Sequence, residues 1–331
     1  MLPKLSNVRL TTLAIVGAFV VALGFTALDI VPAASQEAVV RAWRVEASAD
    51  LADPWSSVWG DVDPATVALS AQNAAKPLGG GEVATVKARA LHDGRTLYVL
   101  LEWKDGTLDD TVNGHTAFTD AAAIEYPATA SVSVPSFCMG DANASVNIWQ
   151  WKAAWQRDID VGYATVRDRY PNTQSDSYLF QDDPVFQPAR SLGNPFAQLQ
   201  HNSPVENLVA ASFGTLTTAD LQDVAGNGQW KDGRWRVVFS RPLTTAQGYP
   251  SLAVGDITNV AFAVWDGSKG NRDGLKSVSQ FMNLSLSASV LPPPGGGFPW
   301  WGWAIIGGIG ATAVAGLAWA YLRPIRAGAG S

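Results

Sequence analysis

Met139 is the residue with the clearest capacity for chemistry in this chain. It lies in the segment Pro135-Ser-Phe-Cys-Met-Gly-Asp141, whose proline, glycine and aspartate are typical of a loop. The only other methionines are Met1 and Met282, and Met282 lies in an apolar, strand-like run. A thioether is a soft ligand for haem iron and also a common filler of irregular gaps in a core. The residues alone leave both roles open.

Other kinds of reactive site have little support in the sequence. Cys138 is the only cysteine, which excludes an intrachain disulfide, a haem attached through Cys-x-x-Cys-His and an all-cysteine iron–sulfur cluster. The histidines His92, His115 and His201 lack metal-binding spacing; we expect His92 on the surface and the other two in loops. The sequence has no nucleophile elbow and no phosphate-binding loop, which favours a binding or electron-carrying protein over a hydrolase.

The charge of the chain points away from nucleic acid. The net charge is −6 and the isoelectric point is about 5.0, so there is no basic stripe that could neutralise phosphates. Carboxylates are frequent, and the adjacent pair Asp109 and Asp110 is expected to be solvated. These observations predict no nucleic-acid partner.

The beginning of the chain has the composition of a targeting segment. Lys4 and Arg9 precede a mostly apolar run over residues 10–30. A basic start, an apolar stretch and a segment of small residues are typical of a secretory signal, although this run is long enough to remain as an anchor. Residues 1–36 are therefore predicted to be a signal peptide or an uncleaved anchor.

The end of the chain has the composition of a membrane span. Residues 299–322 are apolar, carry no charge, begin with several tryptophans and are followed by two arginines. This pattern predicts a transmembrane helix with a cytoplasmic tail over residues 323–331. The positive-inside rule then places the domain at residues 37–290, and the Pro/Gly linker at 291–298, on the extracytoplasmic (periplasmic) face of the cell membrane.

The region between these segments is predicted to be all-β, an antiparallel β-sandwich. Short alternating runs are separated by Asp-Gly turns, one of which, Asp93-Gly94, predicts a hairpin. Residues 157–228 are rich in Asn, Asp, Gln and Pro, and we expect few regular strands there. The predicted strands are residues 83–90, 97–103, 121–126, 146–151, 235–240, 260–265 and 275–281.

Fourteen tryptophans are unusual for a chain of this length, and several lie near Met139. Trp149, Trp151 and Trp155 follow it closely. Large aromatic residues usually fill the core of a sandwich, and that is the default interpretation for each of them. The alternative is that they form the walls of a flat, apolar cofactor slot.

An ordered set of motifs in this sequence resembles one known family. The set looks like the haem b-binding gamma subunits of molybdenum oxidoreductases related to ethylbenzene dehydrogenase, including those of dimethylsulfide dehydrogenase, selenate and chlorate reductases and nitrite/nitrate oxidoreductases. The resemblance covers roughly residues 40 to 290. Its motifs are Trp103-Lys-Asp105, Phe118-Thr-Asp-Ala-Ala-Ala-Ile-Glu-Tyr-Pro127, Phe137-Cys-Met-Gly140, Asn147-Ile-Trp-Gln-Trp-Lys152, Trp230-Lys-Asp-Gly-Arg-Trp235, Val264-Trp-Asp-Gly267 and Gly274-Leu-Lys-Ser-Val-Ser279.

The resemblance implies a β-sandwich with a haem pocket, in which Met139 and Lys276 are the axial ligands of the iron of one haem b. Lys269 is the local rival for the lysine, but it lies within a turn and no strand follows it directly. A lysine binds iron only as a neutral amine, which burial and coordination both favour. An iron with two protein ligands has no position for substrate, so the resemblance implies electron transfer and a chain that is not itself an enzyme.

The resemblance also implies partners. A molybdopterin catalytic subunit and an iron–sulfur subunit would exchange electrons with the haem, which would relay them to or from a membrane quinone-linked carrier or a cytochrome c. A membrane-tethered β-sandwich that binds a ligand or carbohydrate without haem is the alternative, because tryptophans also stack on sugars. A hydrolase built from loop carboxylates is the weakest alternative, since no such constellation is present.

Overall fold

The computed structural model describes residues 39–46, 50–112, 114–128, 135–136, 139–141, 143–174, 185–246 and 249–292. The expected signal or anchor at residues 1–36 and the expected transmembrane helix and tail at 299–331 lie outside these ranges. Within them, no helix combines the length and the hydropathy needed to cross a membrane.

The described part of the chain is mostly β-sheet, which confirms the all-β prediction. The helices are short: α1 (Ala153–Val161), α2 (Val166–Arg169), α3 (Pro188–Ser191) and 3₁₀ turns at Ser57–Asp61, Pro195–Ala197 and Gly267–Lys269. The strands are β1 (Val40–Arg44), β2 (Ala65–Ala68), β3 (Ser70–Ala71), β4 (Thr85–His92), β5 (Thr96–Lys104), β6 (Ala121–Pro127), β7 (Val146–Lys152), β8 (Val205–Ala210), β9 (Thr217–Thr218), β10 (Ala225–Trp230), β11 (Arg234–Pro242), β12 (Ile257–Trp265), β13 (Ser277–Val278) and β14 (Met282–Val290).

The strands of the described residues form one continuous sheet in the order β10-β11-β5-β4-β1-β14-β12-β6-β7-β8-β9. Strand β12 is the junction, because it pairs with β14 through its first residues and with β6 through its last. The predicted hairpin across Asp93-Gly94 is present as β4–β5. The sequence predicted an antiparallel sheet, and this is wrong at one strand, because β1 runs parallel to both of its neighbours, β14 and β4.

Strand β12 divides the sheet into two halves, β10-β11-β5-β4-β1-β14 on one side and β6-β7-β8-β9 on the other. The two halves pack against each other through an aromatic core. Trp151 on β7 contacts Trp103 on β5 and Trp235 on β11, with ring centroids 6.4 and 4.8 Å away. Trp103 and Trp235 stack on each other at 6.3 Å. Gly228 is required beside them, because a Cβ there would lie 2.3 Å from the Trp151 ring. Burial of such large rings is the main source of stability in a core of this kind.

Residues 157–228 were expected to contain few regular strands, and their described part contains only β8, β9 and most of β10, all after residue 204. Two other local expectations from the sequence were wrong. The strand expected over 275–281 is only the short β13. His92 was expected on the surface, but it is fully buried. Its Nε2 lies 2.8 Å from the Ser287 carbonyl oxygen, and this polar partner, which makes the burial possible, could not be recognised from the sequence.

Candidate functional site

The side chains of β7 alternate between two environments, as strand geometry requires. Trp149 and Trp151 point into the aromatic core between the two halves of the sheet. Ile148, Gln150 and Lys152 point the other way and line a cavity. The neighbouring strand β8 divides its side chains in the same manner. The cavity therefore lies on the face of the β6–β7–β8 region that is opposite to the core.

The cavity has the size of a cofactor site. Its volume is about 840 Å³, within the range of about 300–1,000 Å³ that is common for ligand pockets. Met139 and Lys276, the two residues singled out in the sequence, both line it. So does Trp265 at the end of β12. The fold thus brings onto one cavity two side chains that are 137 positions apart in the sequence.

Met139 reaches the cavity from a tightly turned loop that precedes β7. Its φ is 72°, an uncommon conformation for a residue with a side chain, and the next residue, Gly140, has φ 74°. Gly140 donates its backbone N–H to the Ser136 carbonyl at 2.9 Å, and a Cβ at Gly140 would lie 2.7 Å from the Ala144 carbonyl oxygen. The surroundings hold this conformation, which is a common feature of ligand-binding segments. Met139 also packs against the apolar residues on the cavity face of the sheet.

Lys276 lies in the segment that leads into β13, and its backbone is held on both sides. Its carbonyl accepts the Gln72 backbone N–H at 3.3 Å. Gly80 lies so close that a Cβ there would be 2.3 Å from the Lys276 backbone nitrogen. The Lys276 Nζ is 5.0 Å from the centroid of the Trp265 ring. Lys269, the rival in the sequence, is exposed in a 3₁₀ turn and does not line the cavity.

Glu125 on β6 is the residue at this site that the sequence analysis missed. Burial raises the pKa of its carboxyl to about 8, against the opposing effects of the Lys276 charge and a hydrogen bond from the Met139 backbone N–H. Its Oε1 is buried without a hydrogen-bond partner among the described residues. Glu125 therefore lies beside both Met139 and Lys276. The signal was available, because an acidic residue in the apolar run at 121–126 is unusual.

A buried ion pair occupies another part of the cavity wall. Lys152 pairs with Glu206, and both side chains are nearly inaccessible. Thr218 donates its hydroxyl to Glu206 at 2.7 Å, and the Lys152 Nζ lies 3.8 Å from the centroid of the Trp155 ring. Burial lowers the pKa of Lys152, while the Glu206 charge opposes that shift. Lys152 is thus paired with Glu206, and Lys276 lines a different part of the cavity wall, where its amine lies near the Trp265 ring.

The tryptophans that follow Met139 have a structural role. Trp149 and Trp151 are core residues, so the default interpretation holds for them and the cofactor-slot alternative does not. Trp155 stacks on His201, with ring centroids 4.1 Å apart. His115 is an exposed loop residue at the edge of the cavity, as expected for a loop.

The donor atoms on this cavity suit a flat macrocycle that carries a metal. Met139 offers a thioether and Lys276 a primary amine, each from a separately fixed segment that lines the cavity, and a thioether is a donor that haem iron accepts. Trp265 and Phe118 supply apolar surface, and Lys76 and Arg272 supply positive charge for acidic substituents. The fold and the site together define a β-sheet protein with a cavity for a cofactor.

Comparison with known proteins places the chain within that class. The chain belongs to the ethylbenzene dehydrogenase family, whose sequence model matches residues 56–277. It is 28% identical to a protein of Haloferax mediterranei named as a respiratory nitrate reductase heme subunit, over 77% of this chain and 76% of that protein. It is 28% identical to the chlorate reductase subunit gamma of Ideonella dechloratans, over 83% and 96% of the two chains.

The chain is also similar to a third curated protein and to a solved structure. The chain is 30% identical to the dimethylsulfide dehydrogenase subunit gamma of Rhodovulum sulfidophilum, over 60% of this chain and 59% of that protein. Among solved structures, a family 9 carbohydrate-binding module from Caldicellulosiruptor kristjanssonii matches 77% of this chain and all of the module at 12% identity, with a TM-score of 0.35. A likeness at that level carries no conclusion about the ligand of this chain.

Proposed function

We propose that this chain is the haem b electron-transfer subunit of a molybdopterin oxidoreductase, with Met139 and Lys276 as the axial ligands of the iron. The observation that carries the proposal is that both side chains line one cavity of about 840 Å³. The relatives named as a heme subunit and as gamma subunits of chlorate reductase and dimethylsulfide dehydrogenase support haem b as the cofactor.

Each ligand has a distinct task in this proposal. Met139 would present its Sδ to the iron from the strained loop before β7, and a thioether favours the ferrous form and so raises the reduction potential. Lys276 would present Nζ as a neutral amine from the segment that Gly80 and Gln72 hold. Bound haem b supplies reversible one-electron transfer. With both positions filled, the chain would relay electrons and perform no bond chemistry of its own.

The residues around the ligands would fix the haem rather than react. Trp265 and Phe118 would pack against the macrocycle and exclude water, which keeps the local dielectric low. Lys76 and Arg272 would pair with the propionates. Glu125 would accept a hydrogen bond from the Met139 backbone N–H and so hold the segment that carries Met139.

The partners and location follow from the same proposal. The chain would accept or deliver electrons through an iron–sulfur subunit next to a molybdopterin catalytic subunit, and exchange them with a quinone-linked membrane carrier or a cytochrome c. An apolar segment at 299–322 would anchor it with the haem domain on the extracytoplasmic face, and residues 1–36 would be a signal peptide or a second anchor.

Carbon monoxide binding tests whether both axial positions are filled. The full-length chain is purified with haem, reduced and exposed to carbon monoxide, and the Soret band is recorded. The wild type should contain one haem per chain and show no shift, because no position is open. Met139→Ala and Lys276→Ala should each bind carbon monoxide, whereas the matched controls Met282→Leu and Lys269→Ala should not. A wild type that binds carbon monoxide would refute the relay role; a wild type that contains no haem would leave the ligand-binding sandwich as the better account.

A further inference from the structure

Three aspartates from separate sequence motifs meet at one point of the fold. Asp105 directly follows β5, Asp120 directly precedes β6 and Asp266 directly follows β12. One carboxylate oxygen from each lies within 4.8 Å of the others. Two oxygens bound to one calcium ion at about 2.3–2.6 Å can be at most about 5 Å apart, so this spacing is compatible with a shared ion.

Two of the three carboxylates are buried, Asp266 is half-buried, and the described residues place no compensating cation beside them. Asp120 is fully buried and Asp105 is 4% exposed. Among the described residues, no lysine, arginine or histidine forms an ion pair with any of the three. Buried carboxylates without a positive partner are costly, and they are normally protonated, paired or bound to a metal. Burial, reinforced by the nearby Asp105 charge, raises the pKa of Asp120 to about 7, which reflects that cost.

The hydrogen bonds at this point leave one buried oxygen without a donor. Asp120 accepts the Gly267 backbone N–H and the Trp235 indole N–H, each at 2.9 Å, and the Asp109 backbone N–H at 3.0 Å. Asp105 accepts the backbone N–H and the hydroxyl of Thr107 at Oδ1. Its Oδ2 is buried and has no hydrogen-bond partner among the described residues.

An unpartnered carboxylate oxygen in a cluster of two buried acids and one half-buried acid indicates a ligand that the described residues do not supply. A buried hydrogen-bond acceptor requires a donor or a cation, and the part of the chain that the structure describes offers neither to Asp105 Oδ2. Asp109, whose charge acts on Asp105, carries a second buried oxygen without a partner among the described residues. This contradicts the expectation that Asp109 belongs to a solvated pair.

We propose that Asp105, Asp120 and Asp266 bind a calcium ion that joins the ends of β5, β6 and β12. Carboxylate oxygens in an irregular arrangement are the ligands that calcium prefers, whereas magnesium requires near-ideal octahedral geometry and retains water. Strand β5 belongs to one half of the sheet and β6 to the other, so the ion ties the two halves together. The site is independent of haem, and the resemblance to gamma subunits does not require it.

Terbium luminescence and thermal unfolding of the full-length, haem-containing chain in detergent test the proposal. After dialysis against EGTA, terbium should bind and emit on tryptophan excitation, because Trp235 donates to one of the ligands. Calcium should displace the terbium. Calcium at 100 times its Kd should also raise Tm by about 5–10 °C.

Asp105→Asn is the informative variant, because its amide can keep the Thr107 contacts and replace only the unpartnered oxygen. Calcium affinity should fall more than about tenfold, since one of three charged ligands is lost. Asp266→Asn should behave similarly, and Asp220→Asn, on the exposed surface, should match the wild type. The haem spectrum is recorded for each variant, so that loss of haem is distinguished from loss of calcium.

The competing account is that the aspartates share a proton. In that case calcium would not change the Tm of the wild type, and Asp105→Asn, which imitates a protonated carboxyl, would be at least as stable as the wild type. That pair of results would overturn the proposal. Displacement of terbium by magnesium but not by calcium would also contradict it.

Discussion

The two faces of β7 differ in what they are built to do, although they share one backbone. One face carries Trp149 and Trp151 into a core in which rings from both halves of the sheet are in contact. The other carries Ile148, Gln150 and Lys152 to a cavity that also receives Met139 and Lys276. The difference shows that the tryptophan-rich segment is a scaffold. Its aromatic residues fix the strand, and the residues between them line the cavity together with the preceding Met139 loop and the distant Lys276 segment.

Loss of a core ring should produce the largest effect on stability. Trp151→Ala should reduce the free energy of unfolding by about 3–5 kcal/mol, because it leaves a cavity beneath Trp103 and Trp235. Denaturant titration measures the change. The haem spectrum of the fraction that remains folded should match that of the wild type. Loss of haem without loss of stability would mean that the core face contributes directly to the site.

Loss of the buried Lys152 charge on the cavity face should reduce the stability of the fold nearly as much. Lys152→Met should reduce the free energy of unfolding by about 3 kcal/mol, because Glu206 is left charged and buried. The double variant Lys152→Met/Glu206→Gln should recover most of the loss in the same titration. Since Lys152 is not one of the proposed ligands, its haem spectrum should remain that of the wild type. A changed spectrum would make Lys152 a competitor of Lys276.

A smaller effect is expected from a change that moves Lys276 without altering it. Gly80→Ala should weaken haem binding about tenfold, equivalent to about 1.4 kcal/mol, because the new Cβ would overlap the Lys276 backbone. Haem transfer to apomyoglobin measures the affinity. Gly94→Ala is the matched control: Gly94 also has positive φ, but a Cβ there meets no atom within 4 Å. Equal effects of the two substitutions would attribute the loss to backbone strain alone.

The smallest expected effect is on how the stability of the fold depends on pH. Burial lowers the pKa of His201, which stacks on Trp155, so the folded chain binds fewer protons at this site than the unfolded chain. Its contribution to stability is therefore lost as the pH falls below about 6.5, the ordinary histidine value. The Tm of His201→Gln should depend less on pH between pH 5 and 6.5 than that of the wild type. A steeper dependence in the variant would contradict this sign.

The sequence predicted the scaffold well because its signals are local. Alternation and Asp-Gly turns are properties of a few neighbouring residues, and they located β4, β5, β6, β7, β11 and β12 correctly. Alternation alone cannot tell which face of β7 is covered by the other half of the sheet. That depends on long-range packing, so the tryptophans near Met139 could be interpreted either as core or as cavity wall.

The site itself depended on resemblance and on distant contacts. Met139 stood out by its loop composition, but Lys276 was supported by the family motif and not by its local sequence. Glu125 and the Asp105–Asp120–Asp266 cluster come together only when β5, β6 and β12 are placed in the sheet. No pairwise spacing in the sequence indicates that three strand ends meet.

The central claim is that Met139 and Lys276 together hold the haem iron on the cavity face. Electron paramagnetic resonance of the ferric, full-length chain tests it most directly. The wild type, Lys269→Ala and Met282→Leu should be low-spin, because both axial ligands are present. Lys276→Ala and Met139→Ala should each become high-spin. If both alanine variants retain the low-spin signal of the wild type, the iron is held by other residues and the account is wrong.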